Sequence, residues 1–198
     1  MLKPVRFLSI AAVLAAGLLL AACKDAPDAT AGKAAGSTPV STAVIAAEAQ
    51  GFTVGSQMSQ RTVYVFFDPQ CPHCAMLWES AKPLKSQAKF VWMPVRLLND
   101  SSESQGATIL AAKDPVALMD EHEASLLGKR GGISAASDIA AQKAIVQKNT
   151  ALFNRFGFSS IPTVIAKHAQ TGAVVTKEGA LPTPALAAFL GLQPPAGP

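Results

Sequence analysis

The chain has 198 residues, nearly half of them apolar and 15% charged, which suits one ordinary domain with a sizeable core and excludes disorder over most of its length. Its formal charge of +4 overstates the basic character. The first 22 residues hold Lys3 and Arg6 and no acid, and beyond them 15 basic residues face 13 acidic ones, with no basic run or aromatic-interleaved stripe. Nucleic acid is therefore not an expected partner.

Residues 1–22 read as an export signal. Lys3 and Arg6 form its positive end, and "FLSIAAVLAAGLLL" is an apolar core too short to span a bilayer comfortably. "LAAC", Leu20 to Cys23, resembles the lipobox of bacterial lipoproteins, which implies cleavage before Cys23 and lipid on its sulfur. The alternative is cleavage near Ala22 that leaves Cys23 as a free thiol, a liability in an oxidising compartment. Several acyl chains on one residue make a lasting anchor. Lys24 follows the cysteine where an aspartate would suggest inner-membrane retention, so the outer membrane is the expected location. Residues 23–40 are rich in Ala, Gly, Ser, Thr and Pro and read as a flexible tether reaching roughly 20–25 Å.

The folded part is expected over residues 41–193, with 194–198 as a tail. "TVYVFF", Thr62 to Phe67, has the β-branched and aromatic make-up of a fully buried strand. Pro72 suits the first turn of a helix running through "HCAMLWESAKPL", which Pro83 kinks or ends. "KFVWMPVRLL" predicts a second strand. Helical spacing follows over 102–112, 115–127 and 136–156, the last placing Ile139, Ile145, Leu152 and Phe156 on one face. Asp114 is a natural cap before Pro115, and Gly128 and Gly157 are natural stops. "IPTVIAKH" and "GAVVTKEG" predict two short strands around a turn at 170–172, and a helix over 184–190 closes the domain. This order implies an α/β layer structure with a mixed central sheet flanked by helices and a helical insertion at about 100–157.

"FFDPQCPHC", Phe66 to Cys74, carries the chemistry. Haem attachment needs C-x-x-C-H, and residue 75 is Ala. Structural zinc needs four ligands, yet the only other cysteine is Cys23, and His122 and His168 are isolated in sequence; no metal is expected. A purely structural disulfide over two residues closes too small a loop to constrain the unfolded chain much. Redox chemistry fits the placement, at the end of a buried strand and the start of a helix. The helix N-terminus favours an anion, so Cys71 reads as the nucleophile and Cys74, one turn in, as the thiol that resolves the mixed disulfide. The redox-active pair needs no separate cofactor. Pro72 and His73 lie between the sulfurs and set the potential, a histidine there stabilising the reduced thiolate; alternatively His73 is a solvated helix residue.

"FFDPQCPHCAMLWESAKP" resembles the bacterial disulfide-bond (Dsb) proteins of the thioredoxin superfamily, and among them the DsbC/DsbG group. Asp68-Pro69 before the first cysteine and Trp78 and Pro83 after the second are most similar to the DsbG branch, as is "ATILAAKDPVALMDEHEAS". The likeness covers about residues 61–192 and implies a thioredoxin-like fold. "SSIPTV" sits where the superfamily has its cis-proline loop, which implies that Pro162 faces the cysteines and that Ile161 and Thr163 meet the substrate. Asp68 is either a proton relay for Cys74 or a cap on the turn before Pro69. Trp78 reads as core packing.

Three features depart from that group. Only about 20 residues, between Pro39 and Arg61, stand where the group has a dimerisation domain, so a monomer is expected. The dipeptide between the cysteines is Pro-His, as in the DsbA oxidases, and Ile161 replaces a threonine. The resemblance implies a periplasmic thiol:disulfide oxidoreductase that reduces or isomerises disulfides, or reduces sulfenic acids, on envelope proteins with cysteines. A membrane thiol reductase of DsbD type would keep it reduced. The alternatives are a DsbA-like oxidase and a lipid-anchored binding or chaperone module.

Overall fold

The computed structural model describes residues 38–195, and residues 1–37, with the signal segment, Cys23 and most of the tether, lie outside that range. Five strands form one sheet: β1 (Phe52–Gly55), β2 (Thr62–Phe67), β3 (Lys89–Pro94), β4 (Thr163–Lys167) and β5 (Val174–Glu178). Their spatial order is β1-β3-β2-β4-β5, with β2 and β3 parallel and every other pair antiparallel. The mixed sheet follows from the connections. A helical crossover joins the parallel pair, whereas a tight turn returns β4 to β5.

Both faces of the central strands are covered, and their side chains alternate between two cores. Val63, Val65 and Phe67 of β2 share one core with Phe90 and Trp92 of β3 and Val164 and Ala166 of β4. Helices α2 (Pro72–Ala81), α4 (Pro115–Leu127) and α6 (Thr183–Leu190) contribute to it Leu77, Trp78, Met119, Leu186 and Leu190. On the other face Phe66, Met93 and Ile165 meet Ile45 of α1 (Thr42–Glu48) and Leu152 and Phe153 of α5 (Ala140–Arg155). Helix α3 (Asp100–Ala111) packs on α5 and α4.

The helix ends follow their sequence signals. Asn99 and Ser102 form a reciprocal capping box for α3, and the Asp114 side chain accepts from the amides of Val116 and Ala117. Helix α2 stops at Ala81, and Pro83 sits in the 3₁₀ turn Lys82–Leu84 that follows. The stop after α4 differs in kind from the expected one. Gly128 has φ −75°, and the left-handed residue is Lys129, at φ 58°.

Other departures have local causes. The second predicted strand ends at Pro94, where its pairing with β2 stops, two residues after its pairing with β1 ends at Trp92. Helix α5 begins at Ala140, four residues late, and its buried face runs through Val146, Asn149, Leu152 and Phe153, leaving Ile145 half-exposed. Neither α1 nor β1 was expected.

Asn149 explains how those two short elements are held. Fully buried in α5, its side chain accepts from the Gln50 amide (3.1 Å) and donates to the Gln50 carbonyl (2.8 Å) and the Pro94 carbonyl (3.1 Å). One amide thus joins the α1–β1 connection to the end of β3. Replacing it by Ala leaves one donor and two acceptors without this partner, and the bond lost to the Pro94 carbonyl is a buried one. Urea unfolding of Asn149→Ala is expected to show a loss of about 2 kcal/mol, the scale for one unsatisfied buried group together with two lost part-buried bonds.

Candidate active site

Strand β2 delivers the chain to the site, and a buried carboxylate turns it. Asp68 is fully buried. Its Oδ1 accepts from the Gln70 amide (2.8 Å) and Ser102 Oγ (2.6 Å), and its Oδ2 from the amides of Leu97 (2.7 Å) and Leu98 (3.0 Å). The side chain thus caps the turn before Pro69 and ties it to the β3–α3 loop and to α3. With four donors around it, this geometry supports the capping alternative.

Cys71 is the N-cap of α2 and Pro72 is its first residue, where the missing N–H is no loss. Cys74 lies one turn in, its amide donating to the Cys71 carbonyl (2.9 Å). Both are free thiols, Cys71 5% exposed and Cys74 fully buried. The Ile161–Pro162 peptide is cis, and the Ile161 carbonyl lies 3.9 Å from Cys71 Sγ. Thr163 opens β4, buried, with its hydroxyl donating to the Ser160 carbonyl. The structure therefore brings Cys71, Cys74, Pro72, Ile161, Pro162 and Asp68 together. The His73 ring is exposed, and the residue's contribution to Cys71 comes from its backbone amide.

The two thiols are made unequal. A hydrogen bond from the Cys74 thiol lowers Cys71 to about 7, helped by the backbone amides of Cys74 and His73, against the opposing effects of burial and the Asp68 charge. Burial pushes Cys74 well above the ordinary thiol range, reinforced by its hydrogen bond to Cys71 and by the negative groups nearby.

Two residues of α4 reach the same place unforeseen. His122, fully buried, donates from Nε2 to the Pro69 carbonyl (2.6 Å) and accepts at Nδ1 from the Ile133 amide (3.2 Å), which defines a neutral tautomer. Burial holds its pKa below the usual histidine value, in keeping with that role. Gly132 makes room for the ring: at φ 87°, a Cβ there would stand 2.4 Å from His122 Cε1. Glu123 is also fully buried, and burial pushes its carboxyl up to about 9. A sequence signal existed, since Val116, Met119 and Glu123 follow core spacing along the helix. Trp78 is core, edge-on to Trp92 at 5.0 Å, with its indole N–H on Asp120 Oδ1 (2.7 Å). Among the described residues no group of three His, Cys, Asp or Glu is placed to hold a metal ion.

The chain is similar to known proteins. The family described as a thioredoxin-like domain matches residues 53–193. The thiol:disulfide interchange protein DsbG of Pseudomonas aeruginosa is 32% identical over 143 residues, covering 69% of this chain and 54% of that protein. The Escherichia coli protein of the same name is 30% identical over 105 residues, covering 52% and 42%. The chain thus spans about half the length of the curated relatives it matches. Among solved structures, a periplasmic thioredoxin-like protein from Salmonella enterica serovar Typhimurium superposes with a TM-score of 0.59 at 17% identity, covering 78% of this chain and 97% of that one. Pseudomonas aeruginosa DsbA2 does so at 0.58 and 18%, covering 72% and 93%.

Two pH dependences follow. The alkylation rate of Cys71 is expected to rise with pH and level off around a midpoint of about 7, and in Cys74→Ala the midpoint moves up toward the ordinary thiol range; rates measured across pH check both. For Glu123, the unfolded chain has lost its proton above the ordinary carboxylate range while the folded chain keeps it up to about 9. Stability therefore falls as pH rises through that window, by at most about 1.4 kcal/mol per pH unit. Urea unfolding should show Glu123→Gln gaining on the parent from acid to alkaline pH, with no gain below the carboxylate range.

Proposed function

The chain belongs to the thioredoxin-like domain family and has the thioredoxin-like fold, and on that premise we propose that it is a DsbG-like thiol:disulfide oxidoreductase working through Cys71 and Cys74. One observation carries the reading: a thiol lowered to about 7 stands at the N-cap of α2, against the Ile161 carbonyl, with a second, buried thiol one turn behind it.

In the reducing direction, the Cys71 thiolate attacks one sulfur of a client disulfide. A Cys71–client bond forms, the client S–S bond breaks, and the other client sulfur leaves as a thiolate. Cys74 then attacks Cys71 Sγ and releases the second client thiolate. The dithiol has lost two electrons and the client disulfide has gained them. A sulfenic acid enters the same cycle, with water as the first leaving group. The Ile161 carbonyl stands against the sulfur, and an extended client segment would meet the backbone of Ile161 and Thr163 there. Leu97 and Leu98 are exposed apolar side chains on the loop held by Asp68. Such a surface suits unfolded or partly folded envelope proteins.

The reading extends to the cell. A membrane thiol reductase of DsbD type would return electrons to the pair. The protein would work in the periplasm, tethered through lipid on Cys23, with the outer membrane the expected side. The resident redox group is the dithiol itself, and the chain would act as a monomer.

A second reading, a DsbA-like oxidase that donates its disulfide, is favoured by the Pro-His dipeptide and by the same lowered Cys71, since a stabilised thiolate makes the disulfide the stronger oxidant. Alkylation trapping in cells separates the two. A mostly reduced Cys71–Cys74 pair that becomes oxidised when the membrane reductase is deleted is the expected result, whereas a pair that is oxidised throughout supports the oxidase. Cys74→Ser should accumulate mixed disulfides with clients, and full activity in Cys71→Ser would leave only a binding or chaperone role.

A further inference from the structure

Helix α4, packed on α2, carries a buried acid. Glu123 is 0% exposed, and among the described residues neither of its carboxyl oxygens has a hydrogen-bond partner. The helix is pinned to the site on both sides of it. Asp120 holds the indole of Trp78, one turn after Cys74, and His122 holds the carbonyl of Pro69, two residues before Cys71. Met119, one turn earlier, sits in the same core cluster as both cysteines. The ionisable groups acting on Glu123 are Cys71, Glu79 and Lys82, and Glu123 in turn acts on Cys74. Strand β1, also packed on α4, has no titratable residue, and Asp100 and Glu103 of α3 turn to Arg96.

An unpartnered buried acid is costly, and a catalytic role is one reason for a fold to keep it. The dithiol cycle leaves one task unassigned. Cys74 is a buried thiol held protonated, and it must lose its proton to attack Cys71. Asp68 is badly placed for this task. Its oxygens already accept from three backbone amides and a hydroxyl, and a proton there would disrupt the turn those bonds hold.

We propose that Glu123 is the proton acceptor for Cys74 in the resolving step. The inference rests on the dithiol reading above. While Cys71 is a thiolate, its charge opposes ionisation of Glu123. Capture of a client replaces that thiolate by a neutral mixed disulfide, the repulsion disappears, and Glu123 releases its proton to solvent more readily. The carboxylate, which makes no hydrogen bond to Cys74 in the reduced protein, then takes the proton of the Cys74 thiol through one intervening water. The Cys74 sulfur bonds to Cys71 Sγ, the Cys71–client bond breaks, and the client sulfur leaves with the electron pair. Burial holds the Glu123 proton in both states, and it is held less tightly once the Cys71 charge is gone. Acid and nucleophile are timed by one charge.

The test separates the two steps. The reduced full chain, with Cys23→Ser so that Cys71 and Cys74 are the only thiols, is mixed with excess nitrophenyl disulfide whose released thiolate is coloured. The first equivalent of colour reports attack by Cys71, and the second reports resolution by Cys74. In Glu123→Gln the first phase is expected within about threefold of the parent, while the second slows by about 10²-fold, the lower range for general-base catalysis, and its rate loses its rise with pH below the thiol range. Glu123→Asp should recover part of the rate and the rise. A second phase in Glu123→Gln with the parent's rate and pH profile overturns the proposal and leaves the dithiol reading standing. So does a parent whose second phase is flat from about pH 5 to about pH 9, a measurement that needs no variant. Absence of both phases in the parent overturns the dithiol reading and the proposal with it.

Discussion

Four hydrogen bonds converge on the Asp68 carboxylate, and the remainder of the site is arranged around them. Strand β2 ends at Phe67, and the chain must leave a buried sheet and start a helix within four residues. Backbone groups in such a turn lack ladder partners, and burying them unpaired would cost more than the turn is worth. Asp68 answers this by accepting from Gln70 on its own turn and from Leu97 and Leu98 across the gap, while Ser102 joins it from α3. Three segments distant in sequence are thereby fixed relative to Cys71. Because the bond to Leu97 spans 29 residues and Ser102 joins from α3, the turn is held by groups beyond its own segment. The position of the reactive sulfur is a property of the whole fold.

The helical insertion is joined to the same turn by neutral contacts. His122 takes the Pro69 carbonyl, and Gln70 reaches Gln105 and the Gly131 carbonyl. Gln105 binds the carbonyls of Gly131 and Ile133 in turn, so the 131–133 segment is pinned between α3 and α4. These groups add no net charge beside a thiolate that depends on local hydrogen bonds for its low pKa. A protonated histidine here would give up its bond from Ile133, and burial works against that state. The frame is rigid and electrically quiet, which leaves Asp68, Glu123 and the sulfurs themselves to set the local field.

Much of this was legible in the sequence. The dense apolar run "TVYVFF" announced a strand buried on both faces, and Pro72 behind Cys71 announced a helix start, because each signal is local and strong. The redox reading needed only the spacing of two cysteines and the exclusion of their other uses. What escaped was fixed by distant partners. Strand β1 has two large apolar residues, Phe52 and Val54, too few for a periodic signal, and α1 holds its place partly through Asn149, 99 residues from the amide it binds. Position 145 follows helical spacing as well as 146 does, and only packing decided that Val146 faces inward. His122 looked isolated because its partner is a backbone carbonyl, which no motif records. In "MDEHEAS" one acid among four polar neighbours gives no sign of burial, although its spacing from Val116 and Met119 does.

Why the insertion should carry an acid at all follows from the inequality of the thiols. A single hydrogen bond from Cys74 to Cys71 lowers one and raises the other, so every gain in the reactivity of the first makes the second harder to deprotonate. Burying Cys74 keeps it from competing for the client, but it compounds the difficulty. A group that is neutral while Cys71 is charged, and able to become charged once Cys71 is neutral, resolves the conflict without adding a permanent negative charge beside the nucleophile. A carboxyl in an apolar setting has that property, whereas an exposed one would be ionised throughout and would weaken the thiolate. Helix α4, reached through the insertion and locked at Trp78 and Pro69, supplies such a position against α2 and leaves the client face open.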